Sequence, residues 1–199
     1  MSYMFGVYYV KTDASIQELA ARFGRAAPAG PGWLACGMSE DLLPDDAYQD
    51  QDAEDPEVTA TGEISKVYGE AVYLFANSHA DEVIYEHTRD GVVLRKLQWV
   101  SHGADCTWEV SAGDPEPWEA ALFAEQRMKL LLERFPDRER QIRFVFDSRR
   151  IHLGAPFPEA DATVAELIEA YLGVTRPGSA RPYHAAPAAA KAAPRPYRA

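Results

Sequence analysis

Hydrophobic and polar residues alternate with a period of two at the start of the chain, with Phe5, Val7 and Tyr9 on one side of the segment Met4 to Val10. This is the pattern of a half-buried strand built from aromatic and β-branched residues. The period then changes. Ile16, Leu19, Ala20 and Phe23 recur at helical spacing behind Ser15 and Glu18, which have capping-box spacing, and Gly24 closes the stripe. Ala26 to Gly32 reads as a Pro/Gly loop, and Trp33 to Met38 as a second strand, which gives a β-α-β-like opening.

From Ala71 the pattern becomes a meander: Ala71 to Asn77, Glu82 to Arg89, Val92 to Val100 and Cys106 to Ser111, separated by turn residues. Asp90-Gly91 is a strong type I′ hairpin signal. A two-residue loop there predicts Glu86 opposite Arg95, with Ile84, Val93 and Leu97 on one face and Val83, Tyr85, Val92 and Leu94 on the other. Apolar residues on both faces predict a central hairpin covered on each side.

Asp114-Pro115-Glu116-Pro117 marks a helix start, joining a capping carboxylate to prolines suited to a first turn. Trp118, Ala121, Leu122, Ala124, Met128, Leu131, Leu132 and Phe135 then form one broad stripe, so a single long helix is expected up to Pro136. Ile142, Phe144 and Phe146 alternate with Arg143 and Val145 and predict another strand. Thr163 and Glu166 cap a last helix carrying Leu167, Ile168, Tyr171 and Leu172 before Gly173. The expected class is α+β: a mainly antiparallel β-meander sheet with an N-terminal β-α-β-like unit, packed by one long and two shorter helices.

A chain of 199 residues, 47% hydrophobic and 26% charged, suits one globular domain, assigned to residues 1–174. Charge divides it further. Nine acidic residues lie between Glu40 and Glu57 with no Lys or Arg among them, and Pro44 and Pro56 interrupt the run. That composition predicts a mobile acidic loop at 40–57. Residues 175–199 form a basic Ala/Pro-rich tail, expected to be flexible, with Arg176, Arg181, Lys191, Arg195 and Arg198 and no acid. Removing those five cations from the net charge of −11 leaves the body at −16. Such a body repels phosphates and anionic lipid and attracts a basic protein, so neither nucleic acid nor membrane is an expected partner of the folded body.

Cys36 and Cys106 are the two cysteines, and Met1 to Val10 has no basic n-region, which fits a reducing, cytoplasmic setting. The most tempting local constellation is His102-Gly-Ala-Asp105-Cys106, in which Cys106 would be the nucleophile, His102 its base and Asp105 the orienting group. A tight β-turn followed by a buried cysteine accounts for the same residues. His79, His87, His102 and Cys106 are metal-ligand types, but CxxC, HxH and HExxH are absent, and no metal or cofactor is assigned. Asp50, Asp52 and Glu54 imitate a calcium loop, yet Asp55 occupies the turn-glycine position and Thr61 that of the bidentate Glu. The pairs Glu82/Glu86 and Asp105/Glu109 have same-face spacing, and no GxSxG, GxGxxG or Walker A pattern occurs.

Trp99, Trp108, Trp118, Tyr73, Phe75 and Tyr85 concentrate around the meander and suit a core or an apolar pocket. Trp33 beside its Pro/Gly loop is expected as a partly exposed anchor. The body charge of −16 and the missing catalytic motif favour a non-enzymatic interaction protein, of inhibitor, immunity or adaptor type. It would bind a basic protein partner through Asp45, Asp46, Asp50, Asp52, Glu54, Asp55 and Trp33. The alternative is a small-molecule-binding protein or enzyme with a pocket between sheet and long helix. A third reading is a homo-oligomer in which the basic tail of one subunit lies on the acidic loop of another.

Overall fold

The structure, a computed structural model, describes residues 4–37, 60–102, 105–160 and 162–177. The acidic stretch 40–57 and the tail beyond 177 lie outside the described residues. The fold is α+β. Strands β1 (Met4–Lys11), β2 (Ala26–Gly30), β3 (Trp33–Cys36), β4 (Glu70–Asn77), β5 (Glu82–Arg89), β6 (Val92–His102) and β7 (Asp105–Gly113) form one antiparallel sheet ordered β2-β3-β1-β4-β5-β6-β7. The opening follows the expected strand–helix–strand order, with helix α1 (Ile16–Phe23) capped by the Ser15 hydroxyl, which accepts from the Glu18 N–H. The segment read as a Pro/Gly loop is itself β2. It pairs with β3, which runs antiparallel to β1.

The meander β4 to β7 falls where the sequence pattern put it, and Asp90 and Gly91 both have positive φ, 50° and 80°, as a type I′ turn requires. Its register is not the one a two-residue loop alone dictates. Thr88 pairs with Val93 but His87 pairs with Arg95, so Leu94 is an extra residue on β6. This bulge moves every later residue by one, placing Glu86 opposite Lys96 instead of Arg95. Leu97 joins the Tyr85 face, and Arg95 turns to the same side. Gly113 makes room for the bulge: it lies opposite Arg95 at φ +82°, and a Cβ there would fall 2.0 Å from the Leu94 carbonyl oxygen.

Both sheet faces are covered. On one, Val7, Val72, Leu74, Tyr85, Leu97, Trp99 and Trp108 form the main core with helices from the second half of the chain. These are α3 (Glu125–Arg134), α4 (Glu139–Ser148), α5 (Ala162–Leu172) and a 3₁₀ segment Pro117–Phe123. On the reverse face Val10, Cys36 and Ala71 pack with Leu19 of α1 and Ile64 of α2 (Thr61–Tyr68). Burial at this second layer pushes the Cys36 thiol up to about 12. The two sheet edges are also occupied. Residues 154 and 155 bond to both backbone groups of Trp108 on β7, and the Thr175 N–H bonds to the Ala29 carbonyl on β2.

Two expectations for the second half are corrected. The single long helix is divided, because Ala124 has extended backbone (ψ 138°) between the 3₁₀ segment and α3. The strand expected at Ile142 to Phe146 is helix α4, which buries Ile142, Val145 and Phe146 at i, i+3 and i+4 and leaves Phe144 63% exposed. The period-two and helical readings share Ile142 and Phe146; burial of Val145 rather than Phe144 decides between them. Thr163 lies inside α5, where its hydroxyl accepts from Arg127.

Candidate functional site

The constellation His102, Asp105, Cys106 does not assemble as read. His102 pairs with Asp105 and Cys106 with Ser101 across β6 and β7, so strand alternation puts His102 and Cys106 on opposite faces of the sheet. The His102 Nε2 instead lies 3.1 Å from Glu109, while Cys106 packs against the main core. Hydrogen bonds from Thr107 and His102 hold the exposed Glu109 carboxyl below its usual value. Of the residues expected at a partner surface, Trp33 is 6% exposed and belongs to the main core, with the Lys11 ammonium 5.5 Å from its ring centroid. It is not a surface anchor. Asp45, Asp46, Asp50, Asp52, Glu54 and Asp55 lie outside the described residues.

Among the described residues a titratable cluster forms elsewhere, between the β4–β6 meander and the 3₁₀ segment. Sheet alternation brings Glu70, His87, Tyr85 and Arg95 to the main-core face. The chain turn after β7 then lowers Glu116, Trp118 and Glu119 onto them. His87 is 5% exposed, with Nδ1 2.5 Å from Glu116 and Nε2 3.2 Å from Glu70. A neutral imidazole has one N–H, so the doubly protonated ring is the form that donates to both carboxylates. Glu116 also accepts from the Tyr85 hydroxyl at 2.5 Å and the Trp118 indole at 3.0 Å. Glu70 accepts from Arg89 at 3.1 Å and from Lys11 at 3.5 Å.

Electrostatics follow this geometry. Burial pushes the Glu116 carboxyl up, but the His87 and Tyr85 hydrogen bonds, the His87 charge and the Trp118 N–H outweigh it and leave the group below its ordinary range. Glu70 is likewise held low, because Lys11, Arg89 and His87 together overcome its burial. Burial and the Glu116 carboxylate both raise Tyr85, so its hydroxyl stays a donor. Beside this cluster Arg95 is 2% exposed and forms a bidentate pair with Glu119, Nε to Oε1 at 2.8 Å and Nη2 to Oε2 at 2.7 Å. Its remaining nitrogen donates to the carbonyls of Ala112 and Gly113.

Two smaller polar contacts tie other elements to the sheet. Glu86, on the reverse face, accepts from Thr61 of α2 and pairs with Lys96 at 2.9 Å. Tyr9 donates to Glu169 of α5 at 2.7 Å, and Arg176 lies 2.6 Å from the same carboxylate with its guanidinium 3.6 Å from the Phe5 ring centroid. The buried Arg176 Nε thus meets this carboxylate as a close ion pair. Burial dominates at Glu169, whose carboxyl is raised in spite of Tyr9 and Arg176.

Chemically, the His87 cluster can hold a proton on the ring between two carboxylates and clamp the 3₁₀ segment to the sheet. Each carboxylate that could act as a base already accepts from at least three donors. Glu70 and Glu116 meet opposite nitrogens of one ring, so these three groups do not converge on one point. Among the described residues no group of three or more His, Cys, Asp or Glu is placed to hold a metal ion. His87 was visible in the sequence as a ligand-type residue, whereas its partners come from β4 and from the turn before the 3₁₀ segment. The bulge at Leu94 was the missing signal for Arg95. Comparison with known proteins returns no match: no family model, no curated protein and no solved structure matches the chain.

Proposed function

We propose that this chain is a non-enzymatic cytoplasmic interaction protein, of inhibitor, immunity or adaptor type, that binds a basic protein partner through its acidic surface. The observation that carries the reading is charge segregation: a body of −16, with nine acids and no cation between Glu40 and Glu57. Such a field raises the encounter rate with a cationic partner and disfavours anionic ones. The internal saturation of Glu70, Glu116 and Glu119 supports it, since the buried acids serve the fold. With Trp33 in the core, recognition rests on Asp45, Asp46, Asp50, Asp52, Glu54 and Asp55. Among the described residues no helix is long and apolar enough to cross a membrane.

The test is capture of partners from the native source at low and high salt, with full-length protein, a form lacking residues 178–199, and a form carrying Asn or Gln at those six acidic positions. A stoichiometric basic partner held by the first two and lost from the third is the expected result. No partner at low salt, or equal capture by the neutralised form, overturns it. A second reading has one observation in its favour: His87 lies between sheet and helical layer among Glu70, Glu116 and Tyr85, where a small acid–base site would be built. A ligand whose binding is abolished in a folded His87→Gln protein would establish that reading.

A further inference from the structure

Helix α4 presents to solvent an aromatic residue set among cations. Phe144 is 63% exposed, and its ring stacks at 5.3 Å on His152, which the Ser148 hydroxyl holds at 2.9 Å. Leu153, next in the chain, is also 63% exposed. An open groove of about 430 Å³ runs beside Phe144, lined by Asp137, Arg138, Arg140 and Gln141. Between Asp137 and Arg150 there are five arginines against three acids. A large apolar side chain held outward by packing, beside a groove with a basic rim, has the anatomy of a contact surface.

We propose that this face of α4 docks residues 40–57 of a second copy of the chain. The chemistry of the two segments is complementary in both respects. Residues 40–57 bring nine carboxylates to the arginines, and they carry Leu42, Leu43 and Tyr48 as apolar groups for Phe144 and the groove. The partner is placed in a second copy because α2, into which this stretch leads, covers the reverse face of the sheet while α4 covers the main face. Two copies that exchange these contacts close as a two-fold dimer, in which each α4 is filled once. This goes beyond the partner reading and sets a competition within it: a basic partner and α4 claim the same carboxylates.

Sedimentation of the full-length protein across micromolar to near-millimolar concentration at low salt tests the assembly, alongside binding of a fluorescent peptide of sequence 40–57. The expected results are a monomer–dimer equilibrium weakened by salt, dissociation by excess peptide, and at least a tenfold loss of both peptide binding and dimerisation in Phe144→Asp and in Arg140→Glu. Both side chains are exposed, so unchanged thermal unfolding of these variants shows that they are folded. A mass that stays monomeric, a dimer indifferent to both substitutions, or a dimer lost only on deletion of residues 178–199 overturns the proposal. A monomer that binds the peptide at Phe144 also overturns it, by placing the chain's own segment there. Capture of a basic partner is expected to survive Phe144→Asp, so this proposal and the partner reading fail separately.

Discussion

Truncating Glu119 to Ala isolates the interaction on which the register of the sheet and the seat of the 3₁₀ segment both depend. Arg95 and Glu119 have side chains 3% and 4% exposed and meet through two hydrogen bonds. Their attraction is on the order of 4 kcal/mol at an effective dielectric of about 20. Desolvation of both ions cancels much of that gain, so the pair contributes little net stability. Removing one partner is a different matter: it strands a buried guanidinium, at a cost of about 3–5 kcal/mol. Glu119 also accepts the Glu116 N–H at 2.8 Å, and the loss of that bond adds about 1 kcal/mol. With a urea m-value of about 2 kcal/mol/M, Glu119→Ala is expected to lower the unfolding midpoint by about 2–3 M. Replacing both members, Arg95→Met with Glu119→Leu, removes the stranded charge and is expected to sit within about 2 kcal/mol of the parent. The cycle then reports a coupling of about 3 kcal/mol or more. A single-variant loss below about 1 kcal/mol, or a double variant as weak as the sum of the two singles, would refute the reasoning from burial.

Three further perturbations probe other links. The folded-state values of Glu70 and Glu116 lie below those of free carboxyls, so their contribution is present above the ordinary carboxyl range near 4.3 and is lost as pH falls through the folded values. Glu169 is shifted the other way and subtracts stability as pH rises through its folded value. Acid titration of stability in Glu116→Gln should therefore show a slope reduced by up to one proton, about 1.4 kcal/mol per pH unit; an unchanged slope would remove Glu116 from the acid response. Gly113→Ala should cost about 3 kcal/mol or more in urea unfolding, since its Cβ meets the Leu94 carbonyl at 2.0 Å in addition to the left-handed backbone cost of about 1–2 kcal/mol. Gly32→Ala, at φ +74° with nothing within 4 Å, should cost the backbone term alone, and equal losses at the two sites would discount the bulge contact. Trp108→Phe should lose about 2–3 kcal/mol, because a fully buried indole that donates to the Pro158 carbonyl at 2.8 Å is replaced by a smaller ring without a donor. Thermal unfolding within a degree of the parent would contradict that assignment.

Where one local rule decided an element, the sequence was legible. Ser15 and Glu18 announced α1, Asp90-Gly91 announced the β5–β6 turn, and the spacing of turn residues marked all four meander strands. Legibility ended where a distant residue decided. Ala124 is a helix-favouring residue with extended backbone, set between segments that bury Trp118, Leu122, Phe123 and Leu131. Phe144 alternates with Ile142 and Phe146 as in a strand, and only the competition for core space among α3, α4 and the sheet selects Val145 in its place. The site shows the same limit most sharply. Near neighbours in sequence offer His102, Asp105 and Cys106, of which strand alternation puts Cys106 on the opposite face from the paired His102 and Asp105. The groups that do meet, Glu70, His87 and Glu116, are separated in sequence by more than a whole strand, with no spacing rule to link them. Neighbouring Arg95 joins them because Leu94 bulges, and Leu94 can bulge because Gly113, across the β6–β7 pair, offers no side chain. One absent Cβ thus decides which face a buried guanidinium occupies and, through Glu119, where the helical layer begins.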